Sequence, residues 1–279
     1  MNIWKPHVIR EKLENKAKEL GLRLPQMQIL LAQERFLARL YSIPEGKNFI
    51  WKGGSLFLRK YSNMAIPRFT VDIDLLVKGF LISQTPDIFE KAIKIDLLDG
   101  FQFYEISSVP MERQTPYGGD RFEINWRLFN KNQSETLKID VCAGDEVLSI
   151  SSLLSELFIY PEVDGQLSAN IYPAEFIFAE KLETIFHFGT GNTRAKDIVD
   201  IWSISNGKIS KKKLKEAILI CFKNRKQIFN YSRLQEIFHD EFFLKNIDRI
   251  LSHQFEKLEL LPTEILLEEI LDFIKKLDL

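Results

Sequence analysis

A change in the spacing of apolar residues divides this chain of 279 residues into three zones. Residues 6–42 repeat apolar positions at helical intervals. Residues 48–165 instead contain segments rich in β-branched and aromatic residues, each bounded by turn residues, which predicts strands. From about residue 171 the helical spacing returns and continues to the last residue. The pattern predicts an α+β fold with a sheet-containing domain over 1–165 and a helical domain over 166–279.

Turn residues and prolines set the expected ends of these elements. Gly21 should end the first helix, and Pro25 should lie in the first turn of the second, which should stop before Pro44. The strands are expected within 48–54, 69–77, 101–109, 121–129 and 135–143, and the loop "NKNQS" should join the last two as a hairpin. Further helices are expected over 86–98, 173–188, 194–205, 211–223 and 262–277.

Composition favours a globular protein of the cytoplasm. Apolar residues make up 45% of the chain and charged residues 28%, which is sufficient for a packed core. The net charge of −1 gives no general basic field for nucleic acid, although a local basic patch would be compatible with it. Two cysteines argue against a disulfide framework. The N-terminus lacks the apolar core of a signal peptide, and no apolar run is long enough to span a membrane, so no membrane partner is expected.

The segment "RFTVDIDLLV" places two carboxylates on one side of an expected strand. Because side chains alternate along a strand, Asp72 and Asp74 share a face with Thr70. The two Cα atoms should be roughly 6–7 Å apart, since each strand residue advances about 3.3 Å. Mg²⁺ favours one or two carboxylates together with phosphate oxygens, so this face predicts a metal site. The opposite face is apolar and should pack against helices: Val71, Ile73 and Leu75.

A glycine turn precedes that strand in the sequence. Gly53 and Gly54 would let the backbone approach a ligand closely, and Ser55 would lie at the start of a following helix. A phosphate-binding turn beside a two-carboxylate metal site is typical of nucleotidyl transfer. Taken singly, however, a Gly-Gly-Ser is usually an ordinary turn, and an Asp-x-Asp on a strand is usually a solvated face.

Three other positions extend the pattern. In "LKIDV", Asp140 shares a strand face with Lys138 and would supply a third carboxylate. In the helical half, Lys181 interrupts an apolar stripe formed by Phe178, Leu182 and Ile185. Further on, one helix carries acidic and basic residues at intervals of three, which on their own indicate ordinary surface ion pairs: Arg194, Asp197 and Asp200.

No rival catalytic motif is present in the sequence. The chain has no Walker-type or Rossmann glycine pattern and no Gly-x-Ser-x-Gly. Its four histidines are scattered without metal-ligand spacing: His7, His187, His239 and His253.

In this order, "KGGS", "RFTVDIDL", "LKIDV", "AEKL" and "RAKDIVDI" resemble the AbiEii/AbiGii family of nucleotidyltransferase toxins, over roughly residues 30–205. The family belongs to abortive-infection and type IV toxin–antitoxin systems. The resemblance implies a polymerase-β-like nucleotidyltransferase core, a mixed sheet with helices, followed by a helical domain that contributes to the active-site cleft. It implies a role for each matching residue: Asp72, Asp74 and Asp140 hold the metal; Gly53, Gly54, Ser55, Thr70, Lys138 and Lys181 bind the nucleotide; Asp72, Asp74, Lys181 and Asp197 are catalytic.

The resemblance also implies an activity, which is Mg²⁺- or Mn²⁺-dependent transfer of NMP from an NTP to an acceptor such as tRNA. A nearby gene would encode an antitoxin that need not form a stable complex. Two alternatives remain open, modification of a protein hydroxyl and an inactive relative that only binds nucleotide or a partner. One departure is the interval of about sixteen residues between Ser55 and Asp72, against about ten in the family. No familiar motif follows residue 208, and "SKKKLK" suits either an RNA-facing patch or a solvated helix start.

Overall fold

The computed structural model describes residues 4–61, 69–111, 118–129, 134–144, 147–161, 165–254 and 261–279. The chain forms two compact units. The first contains Met1–Gly144 and Ser149–Tyr172, and the second contains Asp145–Leu148 and Pro173–Leu279. Residues 130–133 of the predicted "NKNQS" hairpin loop and residues 62–68 of the interval between Ser55 and Asp72 lie outside the described residues. The division into domains at 165/166 stays a prediction.

In the described part of the first unit, seven strands form one mixed sheet in the order β3-β4-β5-β2-β1-β7-β6. β2 runs parallel to β5, and β1 runs parallel to β7, whereas the other neighbours are antiparallel. All five predicted strands form. The sequence did not single out β6 and β7, which have four residues each and are too short for a clear alternation. The strands are β1 Phe49–Lys52, β2 Asp72–Val77, β3 Phe101–Pro110, β4 Gly119–Leu128, β5 Glu135–Ala143, β6 Ile150–Leu153 and β7 Ser168–Ile171.

Five α-helices accompany the described part of this sheet: α1 Pro6–Leu20, α2 Leu24–Tyr41, α3 Gly53–Lys60, α4 Thr85–Ile93 and α5 Leu154–Leu157. Gly21 ends α1 in the left-handed conformation, as predicted. The helix predicted over 86–98 ends at Ile93, so its last five residues were assigned wrongly. There the Asp96 side chain accepts a hydrogen bond from the Leu98 N–H at 2.8 Å, a local turn that competes with the helix.

The core of the first unit is built around α2. This helix contacts α1 and α4 as well as strands β3 and β5. The apolar spacing predicted a stripe on one side, but burial extends round the helix and includes polar residues: Gln33, Glu34, Arg35 and Arg39. On β2, Ile73 and Leu75 are fully buried, as predicted. Val71 was expected to pack beside them but precedes the strand and is 44% exposed, so that assignment was wrong.

A buried ion pair ties α2 to the start of β3. Arg39 donates to both carboxylate oxygens of Asp99 at 2.8 and 2.7 Å, and both side chains are almost fully buried. Arg39 also donates to the carbonyl oxygens of Ile95 and Phe101. Because its donors are satisfied on several sides, the guanidinium can be accommodated without water.

The second unit is helical in its described residues: α6 Ala174–Phe188, α7 Ala195–Ser205, α8 Lys211–Asn224, α9 Tyr231–His239, α10 Glu241–Gln254 and α11 Thr263–Lys275. The predicted α6 stripe is fully buried: Phe178, Leu182 and Ile185. On α7, Ile198 and Ile201 are buried, and the partly exposed Trp202 donates its indole N–H to Glu269 at 2.6 Å. Within the described ranges, no helix combines the length and the apolar character that crossing a membrane requires.

The buried ion pair predicts a large loss of stability on removing one partner. Asp99→Ala should lower the free energy of unfolding by about 3–5 kcal/mol, because Arg39 would keep a buried charge without its counter-ion. Glu45→Ala breaks the exposed pair with Lys91 and should cost far less, because water and salt screen exposed charges. Urea unfolding measures both. Equal losses in the two variants would show that the Arg39–Asp99 pair is not a structural tie.

Candidate functional site

The charged residues predicted for the strands meet on one face of the sheet. In the parallel pair of β2 and β5, Asp72 lies opposite Lys138 and Asp74 lies opposite Asp140. In the antiparallel pair of β1 and β2, Lys52 lies opposite Asp74. Paired residues of neighbouring strands point to the same side of a sheet, so these five side chains share a face. All five are partly exposed, as a site open to a ligand requires.

The glycine turn touches the carboxylate of β2. Gly53 has φ +72°, and a Cβ atom placed on it would lie 1.8 Å from Oδ2 of Asp74. Glycine is therefore required here for two reasons, the left-handed backbone and the space taken by Asp74. Gly54, the next residue, is partly exposed in the first turn of α3. The structure thus brings the predicted phosphate-binding turn into contact with the predicted metal-binding strand.

Ser55 and Thr70 lie close to this site but face different surroundings. Ser55 is fully buried, and its Oγ accepts a hydrogen bond from Nε1 of Trp51 at 2.8 Å. Its contact with a phosphate stays a prediction. Thr70 is partly exposed and precedes β2, and its carbonyl accepts a bond from Nε2 of Gln33 at 3.2 Å. This bond ties the approach to Asp72 to α2.

A second buried ion pair holds α3 in place. Nε of Arg59 donates to Glu34 at 3.1 Å, and another guanidinium nitrogen donates to the Ser55 carbonyl at 2.9 Å. Glu34 also accepts the backbone N–H groups of Ile159 at 2.8 Å and Tyr160 at 3.1 Å. Burial raises the pKa of Glu34, and the positive charge of Arg59 opposes that shift. Sequence periodicity did not predict this network, because both residues belong to helices whose packing partners are distant in sequence.

Asp140, the predicted third metal ligand, is held by an arginine. Nε and one terminal nitrogen of Arg121 donate to its two oxygens at 2.7 Å each. These hydrogen bonds and the charge of Asp140 raise the pKa of Arg121, with further contributions from Asp72 and Asp74. Arg121 was not predicted as a site residue. It lies opposite Asp140 in the β4–β5 register, which local sequence does not reveal.

The donor set fits a cation that shares its ligands with a substrate. Among the described residues, no group of three or more His, Cys, Asp or Glu side chains is arranged to hold a metal ion. Asp72 and Asp74 nevertheless present two carboxylates on one partly exposed face, beside Asp140, whose oxygens accept hydrogen bonds from Arg121. Mg²⁺ commonly uses one or two carboxylates and completes its shell with water and phosphate oxygens. The metal role of Asp140 stays a prediction.

The second unit contains a separate buried charge cluster. The Lys181 ammonium on α6 lies 2.5 Å from Asp197 and 2.7 Å from Asp200, both on α7. Arg194 donates to the other oxygen of Asp197 at 2.6 Å. Asp197 and Asp200 are 0% and 3% exposed, so their interpretation as surface residues was wrong. Both carboxylates can be buried because Lys181, from the neighbouring helix α6, compensates their negative charge.

This cluster also fixes the ionisation of Asp197. Burial alone would raise the pKa of its carboxyl, but Lys181 and Arg194 outweigh burial and lower the pKa from 3.8 to about 2. Asp197 is therefore a carboxylate at neutral pH, and its two oxygens accept hydrogen bonds from two different cations. The prediction that Lys181 and Asp197 act together with the β2 aspartates concerns residues of different units and stays a prediction.

The Gly53 contact can be tested against another glycine with the same backbone. Gly53→Ala should destabilise the protein more than Gly21→Ala, because only at Gly53 does the new methyl group overlap another side chain. Gly21 has φ +64°, and a Cβ atom placed there would have no other atom within 4 Å, so its replacement costs only the left-handed strain, about 1–2 kcal/mol. Urea unfolding of both variants measures the difference. Equal losses would show that Asp74 does not occupy this space.

The lowered pKa of Asp197 predicts a pH dependence. A carboxyl whose folded-state pKa is depressed contributes stability above its unfolded pKa of 3.8 and loses that contribution as pH falls through about 2. The stability advantage of the wild type over Asp197→Asn should therefore shrink by roughly 2 kcal/mol across that window. Denaturant unfolding of both proteins at a series of pH values measures it. A constant difference over the window would contradict the assigned ionisation.

The sequence and the fold were compared with those of known proteins. Residues 35–275 match the model of a family described as nucleotidyl transferase AbiEii toxin, type IV TA system. The fold is similar to the crystal structure of JHP933 from Helicobacter pylori, with TM-score 0.53, 17% identity, and 92% of this chain and 95% of the other covered. It is also similar to a candidate nucleotidyltransferase from H. pylori, with TM-score 0.51, 17% identity, and 92% and 98% covered.

At 17% identity, these structures establish the fold alone. A search of curated proteins finds no match. The family match extends over most of the chain and includes both the β2 carboxylates and the Lys181–Asp197 cluster. The chain therefore belongs to the AbiEii nucleotidyl transferase toxin family of type IV toxin–antitoxin systems.

Proposed function

We propose that the chain transfers a nucleoside monophosphate from an NTP to a tRNA acceptor, with release of pyrophosphate, and thereby inhibits growth. The observation that carries the proposal is the contact of the Gly53 backbone with the carboxylate of Asp74, with Asp72 on the same strand face. A turn that can approach phosphates closely and two carboxylates suited to a divalent cation are the parts that nucleotidyl transfer needs at one place.

In this proposal Asp72 and Asp74 hold the cation, Mg²⁺ or Mn²⁺, and Asp140 and Arg121 define the neighbouring part of the same face. The cation would neutralise charge on the triphosphate. Arg121 binds both oxygens of Asp140 and keeps this carboxylate oriented, and the role proposed for Asp140 is that of the third carboxylate of the site.

The protein residues position the triphosphate. The backbone N–H groups of Gly53 and Gly54, at the first turn of α3, are suited to donate to phosphate oxygens, because helix N-termini carry unpaired donors and partial positive charge. Lys138 and Lys181 would bind further phosphate oxygens as cations. An acceptor hydroxyl oxygen would then form a bond to the α-phosphorus as the bond to the bridging oxygen breaks. The hydroxyl proton would pass to a carboxylate such as Asp197 or to water, and pyrophosphate would leave with both electrons of the broken bond.

The family also implies a cognate antitoxin. We propose that it is encoded nearby and that it need not bind the toxin stably. Growth arrest on expression of the chain alone, and its relief by the neighbouring gene, would support this. Normal growth with full-length, folded protein present would contradict the toxin role and leave the transferase activity to be judged by the assay below.

The activity is tested by following labelled NTPs. The chain is incubated with each labelled NTP in turn, a divalent cation, and either total RNA or total protein. Label that moves to small RNA supports the proposal. Label that moves to protein would replace it by protein modification, and absence of transfer with every NTP would replace it by a binding role.

The two β2 carboxylates should be essential to transfer. Asp72→Asn or Asp74→Asn should reduce transfer to background and abolish growth arrest, because each removes a charge from the proposed cation site. Asp87→Asn, on the exposed side of α4, removes the same charge elsewhere and should have no effect. Rates of label transfer and unfolding curves of all three variants check this. A folded Asp72→Asn protein with full activity would overturn the metal assignment.

Lys181 should contribute to both binding and turnover. Lys181→Ala should raise KM for the NTP and lower kcat, because the lysine would contact phosphates in the ground state and in the transition state. Arg194→Ala removes the other cation bound to Asp197 and serves as the matched control. If the two variants lost activity equally, with unchanged KM for the NTP, Lys181 would be a structural partner of Asp197 alone.

A further inference from the structure

A groove of about 990 Å³ opens beside the edge strand β3 in the first unit, away from the β2 carboxylates along the sheet. Part of its wall is aromatic, from Tyr104 and Phe129, and part is cationic, from Lys94 and Arg127. The acidic side chain among its described lining residues is Asp96, which accepts a hydrogen bond from the Leu98 N–H at 2.8 Å. Lys94 lies 3.6 Å from a carboxylate oxygen of Glu90. The groove therefore combines aromatic rings with the cation of Arg127.

Arg127 is exposed, and its contacts do not neutralise its positive charge. Its Nε donates to the neutral Gln102 side chain at 2.6 Å, and its guanidinium lies 5.5 Å from the centre of the Tyr104 ring. In the part of the chain that the structure describes, Arg127 has no carboxylate partner, in contrast to Arg121 on the same strand. A guanidinium stacked on a tyrosine keeps its N–H fork available for a planar or phosphate ligand.

Among the residues that line the groove, Arg127 points to the face of the sheet that carries the candidate site. Arg127 and Arg121 are six positions apart on β4, so their side chains point to the same side. Arg121 binds Asp140, which pairs in register with Asp74. At about 3.3 Å per residue, Arg127 lies roughly 20 Å along the strand from Arg121. An extended ligand could therefore contact the groove at one end and the candidate site at the other.

We propose that this groove binds a single-stranded segment of the acceptor nucleic acid. Bases would stack on Tyr104 and Phe129, and Arg127 would bind a phosphate, which is the combination that single-strand binding uses. Small anions would need the cations but not the rings, and an acidic peptide would need charge but no stacking platform. The role as acceptor subsite rests on the proposed transferase function, whereas the binding itself does not.

Binding is measured without NTP, so that it does not depend on transfer. A fluorescently labelled single-stranded RNA of about 12 nucleotides is titrated with the full chain at several salt concentrations. Arg127→Gln should weaken binding and reduce the slope of log K against log salt by about 0.7, the change expected for one lost phosphate contact. Arg10→Gln makes the same charge change at an exposed site on α1 and should alter neither quantity.

The stacking contribution has its own pair of variants. Tyr104→Leu should weaken RNA binding about tenfold, whereas Tyr104→Phe, which keeps the ring, should bind as the wild type does. Thermal unfolding of each variant checks its fold. If Tyr104→Leu did not fold, Arg127→Gln at its exposed position would still decide the matter.

Three results would contradict RNA binding in the groove. They are a wild type that does not bind the RNA, a salt slope that Arg127→Gln leaves unchanged, and equal affinity for an acidic peptide of matched length. The two proposals fail separately. If the groove variants weaken RNA binding but no NTP labels any acceptor, the transferase proposal is wrong and RNA binding in the groove is supported. If transfer occurs and the groove variants leave KM for the acceptor unchanged, the groove is not an acceptor site and the transferase proposal is supported.

Discussion

The contact between the backbone of Gly53 and the carboxylate of Asp74 is the constraint on which the proposed site depends. It follows from the antiparallel register of β1 and β2, which sets Lys52 opposite Asp74 and makes the chain turn into α3 immediately afterwards. Any side chain at Gly53 would occupy the space of that carboxylate. A turn suited to phosphates and a strand suited to a metal ion are thus held together by backbone pairing, before any ligand arrives.

Buried charge keeps this arrangement in place. Arg59 joins α3 to Glu34 of α2, and Gln33, one residue earlier, holds the carbonyl of Thr70 just before β2. Removing such groups from water is costly, and each is compensated by several hydrogen bonds. The neighbouring Arg39–Asp99 pair fixes the same helix to β3. We infer that the buried polar residues of α2 orient two segments of the site, the start of α3 and the residues just before β2. Apolar packing alone would leave these segments less well defined.

Local sequence was sufficient for the five longer strands and for the alternation of Asp72 and Asp74, because both depend on periodicity over a few residues. It did not single out β6 and β7, which are too short to show that periodicity. It did not predict Arg121, since that residue meets Asp140 only through the pairing of β4 with β5. The burial of Asp197 and Asp200 was missed for a related reason, because their counter-ion Lys181 comes from another helix. The predicted burial of Val71 was wrong because the alternation was extended to a residue that precedes the strand. The family resemblance supplied the roles of Lys138, Lys181 and Asp197, which spacing alone did not.

The most direct test of the central claim is the position of a divalent cation in crystals of the protein grown with Mn²⁺ and a non-hydrolysable NTP analogue. Anomalous scattering distinguishes the manganese from water and from lighter ions. The account predicts a peak within about 2.1 Å of a carboxylate oxygen of Asp72 and of Asp74, with phosphate oxygens completing the shell and the Gly53–Gly54 turn against the phosphates. An ordered nucleotide whose manganese lies away from both aspartates would contradict it.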